Sequence, residues 1–343
     1  MAPKVLVSRI LPPQTQAKLL QQGFEMYQWQ EDCAIPRNVL LEKVKGVDAI
    51  YCLFTERIDE ELLEAAGPQL KVVATMSVGY DHIDVKAVKA RNIKIGYTPG
   101  VLTDATADLT VLLTLGASRR IKEGIRAAEE GSWTTWGPTW LCGSQITNKT
   151  LGIVGMGRIG EAVAHRMKAF GVSHIVYSGR SRKATAEKNL NAEYVPFESL
   201  LTESDIIAVC CALTDETRDL FNYEAFKKMK KTAIFVNSAR GGIVQQDDLG
   251  KVVDNTSNCY NSLDLCKVSQ TVRALEENLI GAVGLDVTTP EPLPASHKLY
   301  TFPNCLILPH VGSATLETRE NMAQMTLDNI LAGLRDETLP FGI

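Results

Sequence analysis

The sequence predicts an α/β chain of two domains, each built on a parallel sheet, and three observations carry that prediction. Short apolar runs alternate with amphipathic stretches along almost the whole chain, the pattern of strands joined by crossover helices. The alternation occurs twice, before and after residues 105–131, which read as one long helix. Between the strand-like residues 151–154 and a segment with Ile159, Val163, Met167 and Phe170 on one helical face stand Gly155, Gly157 and Gly160. This is G-x-G-x-x-G in a strand–turn–helix context, the arrangement that receives a dinucleotide. At 343 residues the chain can bury two cores.

In the first half, apolar runs at residues 5–7, 49–54, 71–76 and 93–97 are the expected strands. Gly23, Gly46 and Gly67 fall where helix C-caps are expected between them. A turn at residues 97–100 closes this half, and Thr103 or Asp104 reads as the N-cap of the long helix. Arg119, Arg120, Lys122 and Arg126 on that helix read as a solvated basic face. The connector SWTTWGPTWLCG follows, with Trp133, Trp136 and Trp140. Aromatic density of that kind is costly to leave in water, so it packs either within the chain or on a partner subunit.

The second half continues from residue 151 through strand-like runs at 175–178, 205–210, 232–237, 280–286 and 305–309 to an amphipathic helix at 315–334. Runs this apolar are covered by helices on both faces. One stretch departs from the pattern. Gln246, Asp247, Asp248 and Leu249 read as a helix start and residues 273–279 as a helix end, but a polar, Asn- and Ser-rich segment separates them. Connections in such folds run to about 2–6 residues, so residues 250–272 are an atypical insertion. Gly250-Lys251 can be encoded by the donor-like string GGTAAG, and Ser269-Gln270 can end in the acceptor-like CAG. The segment is then either an exposed loop, absorbed at modest entropic cost, or a retained intron, and transcripts carrying it only within unbroken exon would sink the second idea.

A formal net charge of −4 gives no field that would attract nucleic acid or an anionic membrane, so a small-molecule partner is expected. No apolar run approaches the roughly 18 residues of a membrane span, and the N-terminal run is too short and interrupted for a signal peptide. The eight cysteines show no C-x-x-C, and Cys52, Cys210, Cys211 and Cys305 lie in strand-like runs. Buried reduced thiols, a cytoplasmic setting and no zinc site are the expectations.

The glycines assign the cofactor site in detail. Gly155 makes the tight turn, Gly157 admits the pyrophosphate, and Gly160 lets the helix pack close to the sheet. Arg158 and Ile159 open that helix, whose N-terminus offers free N–H groups to phosphate. About 20 residues past the glycines an acidic residue normally accepts from the ribose 2′-OH of NAD. Here the strand ends in Gly179, Arg180, Ser181 and Arg182. The acid is missing and two guanidinium groups flank its place, which favours NADPH over NADH.

Five stretches together carry a resemblance: TMSVGYDHID at 75–84, GIVGMGRIG at 152–160, NSARGGIV at 237–244, GLDVTTPEPLP at 284–294 and ILPHVGSAT at 307–315. In this order they resemble the D-isomer-specific 2-hydroxyacid dehydrogenases, most closely the glyoxylate and hydroxypyruvate reductase branch. The resemblance covers nearly the whole chain except the insertion. It implies two Rossmann-like domains: a flavodoxin-like substrate domain of residues 1–103 with 316–343, and an NAD(P)-binding domain of residues 104–315. It makes His310 the general acid/base, Glu291 its partner and Arg240 the clamp for the substrate carboxylate. The residue types suit reduction of a 2-keto acid, since an imidazole can deliver the proton and a permanent guanidinium can hold and polarise the substrate.

The resemblance also assigns Val78 and Gly79 to the substrate carboxylate, Asp286 to the nicotinamide ribose, and Gly312 and Ser313 to the carboxamide. His82 and Asp84 read as structural. The resemblance brings Trp140 to the active site of a partner subunit, implying a homodimer and small substrates such as glyoxylate. The alternatives are a cofactor-sensing regulator or corepressor on the same fold, and a form made inactive by the insertion.

Overall fold

The computed structural model describes residues 2–247 and 268–343. The chain divides into two compact units, Met1–Ala105 with Ser313–Ile343, and Thr106–Gly312. The first contains strands β1 (Lys4–Val7), β2 (Glu25–Gln28), β3 (Ala49–Cys52), β4 (Val72–Thr75) and β5 (Lys94–Gly96). They alternate with helices α1 (Pro13–Leu20), α2 (Arg37–Lys43), α3 (Glu60–Ala66) and α4 (Val85–Ala90). Helix α5 (Thr103–Ser118) follows. The sheet is parallel in the order β2-β1-β3-β4-β5, which is the flavodoxin-like order. Leu6, Ile50 and Val73 are fully buried on its central strands.

The C-terminal helix returns to this sheet. A Cβ on its Gly333 would stand 2.5 Å from Val72 Cβ, so only glycine lets the helix lie this close to β4. Tyr51 on β3 donates its hydroxyl to the Ala323 carbonyl of the same helix at 3.1 Å.

The second unit takes the rest of α5, then α6 (Ile121–Glu129), β6 (Thr150–Val154), α7 (Arg158–Ala169), β7 (His174–Ser178), α8 (Ala184–Leu190), β8 (Glu193–Tyr194), α9 (Phe197–Glu203) and β9 (Ile206–Val209). It continues with α10 (Tyr223–Lys228), β10 (Ile234–Asn237), β11 (Gln246–Asp247), β12 (Val268–Ser269), α11 (Gln270–Glu276), β13 (Ala282–Leu285) and β14 (Cys305–Ile307). The C-terminal helix of the first unit is α12 (Leu316–Leu334). Seven parallel strands run in the order β14-β13-β10-β9-β6-β7-β8. The order reverses at β6, and ligands of open α/β sheets bind beyond the carboxyl ends of the strands at such a point.

Three sequence expectations are corrected. Residues 105–131 are not one helix: α5 ends at Ser118, and Arg120 takes a left-handed conformation (φ 55°) before α6. The cause is tertiary, because the returning chain donates the Ser144 amide to the Ser118 carbonyl at 2.8 Å and Gly143 packs against the same carbonyl. The helix start expected at Gln246 and Asp247 is a two-residue strand, antiparallel to Val268–Ser269, and the Gln270 amide donates to the Gln245 carbonyl at 3.0 Å. Strands β2 (EMYQ) and β8 (EY) were absent from the apolar runs, since each is an edge strand of partly polar sequence with no buried residue. Of the insertion, residues 250–267 lie outside the described residues. Residues 270–272 open α11, where Val272 is buried in the core.

Candidate active site

The glycine loop has the geometry a pyrophosphate needs. Gly155 has φ 96°, and a Cβ there would stand 2.6 Å from Cys211 Cα. A Cβ on Gly160 would run into the Gly155 carbonyl, so that glycine sets how closely α7 crosses the loop. At Gly157, by contrast, a Cβ would meet nothing within 4 Å. Gly157 is also the N-cap of α7 and supplies no side chain to its first turn. The amides of Arg158, Ile159 and Gly160 in that first turn have no intrahelical partner, as in any helix. The residues present therefore fit a dinucleotide: two glycines hold the loop tight and the third leaves the space open.

The next strand brings residues 179–182 alongside the glycine loop. The Gly155 amide donates to the Ser178 carbonyl at 2.9 Å, and a Cβ on Gly179 would lie 4.0 Å from Gly155 Cα. Tyr194 donates its hydroxyl to the Gly179 carbonyl at 2.9 Å. The Lys183 amide donates to the Tyr177 hydroxyl, which donates to Glu187. The two arginines differ. Arg182 forks onto Glu187, with Nε to Oε1 at 3.0 Å and Nη2 to Oε2 at 3.2 Å. Arg180 is exposed beside Gly179 and Ser181 and forms no ion pair among the described residues.

Three adjacent strands present His310, Glu291, Asp286 and Arg240. His310 follows β14, Glu291 and Asp286 follow β13, and Arg240 follows β10. His310 Nδ1 is hydrogen-bonded to Glu291 Oε1. The His310 backbone is left-handed (φ 54°), a conformation that costs a non-glycine residue about 1–3 kcal/mol unless its surroundings hold it. Asp286 supplies the hold. Its carbonyl accepts from the His310 amide at 2.9 Å, and its carboxylate accepts from the Val311 and Gly312 amides, each at 2.8 Å. Burial raises the Asp286 carboxyl above its ordinary range, against the opposing pull of the Val311 amide, the His310 charge and the Gly312 amide. Sequence reasoning missed this bracing task, because the motif around Asp286 does not reveal a partner 24 residues away.

Arg240 is half-buried, and the turn that carries it is closed by Asn237. The Asn237 side chain accepts from the Ala239 amide at 3.0 Å and donates to the Arg240 carbonyl at 2.9 Å. Arg240 Nη1 donates to the Ala239 carbonyl at 2.9 Å. A Cβ on Gly241 would run into the Thr288 carbonyl, so the Arg240 turn and the loop leading to Glu291 touch backbone to backbone.

In the first unit, Val78 and Gly79 follow β4 in a half-buried turn. Asp84 caps α4, accepting from the Ala87 amide at 3.0 Å, and His82 bonds to Thr75 at 3.0 Å. Both contacts lie within the first unit. Ser313 begins the return to this unit. The connector tryptophans are not buried in the chain: Trp133, Trp136 and Trp140 are 62%, 79% and 43% exposed.

At the level of class, a sheet that reverses at an open glycine loop and carries a braced histidine–carboxylate pair is that of a nicotinamide-dependent oxidoreductase. The model of the D-isomer specific 2-hydroxyacid dehydrogenase NAD-binding domain matches residues 111–271 and 264–312. The chain is 45% identical to the glyoxylate reductase/hydroxypyruvate reductase of Mus musculus, covering 98% of this chain and 96% of that protein. A crystal structure from Thermus thermophilus superposes with a TM-score of 0.85 at 40% identity, covering 99% of both chains. The NADPH-dependent glyoxylate/hydroxypyruvate reductase of Sinorhizobium meliloti, solved with NADP and malonate, gives a TM-score of 0.80 at 27% identity, covering 100% of this chain and 97% of that one. The chain belongs to the D-isomer-specific 2-hydroxyacid dehydrogenase family.

Proposed function

We propose that the protein reduces glyoxylate to glycolate and hydroxypyruvate to D-glycerate, preferring NADPH and using NADH more weakly. The His310–Glu291 pair, braced by Asp286, is the observation that carries this reading. The first turn of α7, with Gly155, Gly157, Arg158, Ile159 and Gly160, holds the pyrophosphate, and Gly179, Arg180, Ser181 and Arg182 hold the 2′-phosphate. Asp286 would hold the nicotinamide ribose, and Gly312 and Ser313 the carboxamide. The bound cofactor supplies a hydride to the carbonyl carbon.

The chain's own groups do the rest. A carboxylate can only accept, so Nδ1 of His310 is the donor to Glu291, and Nε2 is the nitrogen that passes a proton to the substrate oxygen. Arg240 binds the substrate carboxylate as a permanent cation and polarises the carbonyl. The amides of Val78 and Gly79 bind the same carboxylate.

The reading includes a cytoplasmic homodimer in which Trp140 reaches the partner's active site. The exposed tryptophans support the dimer, and the buried thiols of Cys52 and Cys305 support a reducing compartment. Among the described residues, no helix is long and apolar enough to cross a membrane. A steady-state comparison of glyoxylate, hydroxypyruvate and pyruvate with NADPH and NADH tests the function. Turnover of the first two with NADPH is expected, and no turnover of any small 2-keto acid would refute it.

A further inference from the structure

His82 takes no part in the proposed proton or carboxylate chemistry, yet it heads a chain of hydrogen bonds that ends in the Val78–Gly79 turn. His82 Nε2 lies 3.0 Å from Thr75 Oγ1. Thr75 Oγ1 lies 2.8 Å from Ser77 Oγ, and Ser77 Oγ donates to the Gly79 carbonyl at 2.7 Å. Thr75 and Ser77 are both buried. The ends of the chain are anchored. The His82 carbonyl accepts from the Ile58 amide at 2.9 Å, the Asp84 amide donates back to the Ile58 carbonyl at 2.8 Å, and the Ser77 carbonyl accepts from the Thr98 amide at 3.0 Å.

Counting protons gives the chain a direction. A carbonyl only accepts, so the single hydroxyl proton of Ser77 points at Gly79. Ser77 Oγ must then accept from Thr75, whose one proton is used in turn. Thr75 Oγ1 is left to accept from His82, which requires a proton on Nε2. The opposite neutral tautomer, with Nε2 bare, would turn the Thr75 proton to the ring, and Ser77 could then donate to Thr75 or to the Gly79 carbonyl but the chain could not keep both links.

We propose that His82 is a positioning residue for substrate-carboxylate binding: an Nε2–H donor that acts through Thr75 and Ser77 to fix the Gly79 peptide and aim the Val78 and Gly79 amides. The proposal rests on the reading that those amides hold the carboxylate. Orientation of such donors sets affinity for the anion without touching cofactor binding or proton transfer. The effect therefore falls on the KM of the keto acid.

The test uses the full chain with NADPH and glyoxylate. His82→Leu is expected to raise the glyoxylate KM about tenfold, the usual worth of one positioned hydrogen bond, with the NADPH KM and kcat each within about twofold. His82→Gln, whose amide can donate to Thr75, is expected to recover most of the loss. Thr75→Val should reproduce His82→Leu, and the double variant should be no worse than either single one, because both cut the same chain. A glyoxylate KM unmoved by His82→Leu, or a double variant whose losses multiply, overturns the proposal. Failure of the underlying reading looks different, since the unmodified protein would then show no glyoxylate turnover. The relay also has a readout independent of turnover: the ring ¹⁵N shifts of His82 should report a protonated Nε2, and a bare Nε2 would overturn it.

Discussion

At the scale of single residues, a left-handed backbone carries the side chain that we propose as the general acid, His310. The left-handed turn at His310 is held by three backbone hydrogen bonds to Asp286 at the end of β13, while the ring itself is bonded through Nδ1 to Glu291. His310→Gln keeps that backbone but cannot cycle a proton. It should lower kcat by about 10²–10⁴, the usual worth of a general acid, with NADPH affinity retained in a fluorescence titration; unchanged turnover would remove the role. The arginine pair carries a second prediction. Glu187 already engages Arg182, whereas Arg180 has no ion-pair partner among the described residues. Arg180→Ala should therefore weaken NADPH about tenfold or more, in line with a lost charge-assisted hydrogen bond, and leave NADH nearly unchanged. Arg182→Ala should do less, and equal loss of both cofactors in the Arg180 variant would discard the phosphate assignment. The residue types of both sites were legible in the sequence, but Glu187's hold on Arg182 and Asp286's hold on His310 were not, because both are tertiary contacts.

At the scale of elements, the apolar runs located nearly every central strand, since a strand buried on both faces must be apolar throughout. What they did not show were two of the four edges of the two larger sheets, β2 and β8, and the ends of elements. Strand β2 reads Glu-Met-Tyr-Gln, a sequence suited to a half-solvated edge, and carries no run to detect. The end of α5 depends on Ser144 and Gly143, which lie 25 or more residues further on, so helical periodicity continued past it. Gly241 shows the same limit with a functional consequence. Its motif was readable, but the reason for glycine is the Thr288 carbonyl on a different strand exit. Gly241→Ala forces backbone against backbone and should destabilise the second unit by about 3 kcal/mol, the upper end for overpacking a tight site, while lowering kcat through displacement of Arg240 and the Glu291 loop. Urea unfolding and turnover read the two effects; wild-type values for both would show that the loops part at little cost.

At the scale of the whole molecule, the alternation of strands and helices implied two parallel sheets and the resemblance implied their flavodoxin-like and Rossmann character, while the reversal at β6 puts the open glycine loop at the carboxyl edge. The alternation says nothing about what the chain leaves uncovered. Helix α6 has no buried residue, and its Ile121 and Ile125 are exposed, as are Leu112 on α5 and all three connector tryptophans. The helix is nonetheless fixed to the second unit, because Lys122 donates to the Tyr300 and Phe302 carbonyls, each at 2.8 Å. We take the exposed Ile121 and Ile125 of this otherwise charged helix, beside the connector tryptophans, as the face on which the proposed dimer closes, since burying apolar area gains about 25 cal/mol per Å². A second copy of the chain is the partner this reading calls for. Ile125→Glu with Trp136→Glu puts two carboxylates into that contact, and burying them unpaired costs more than the contact returns. Sedimentation velocity should find the unmodified protein at twice its 37.6 kDa chain mass and the double variant at the chain mass. If Trp140 reaches the neighbouring site, the variant should also lose glyoxylate affinity while the NADPH KM stays put. Equal sedimentation of the two proteins would mean that this face is not the subunit contact.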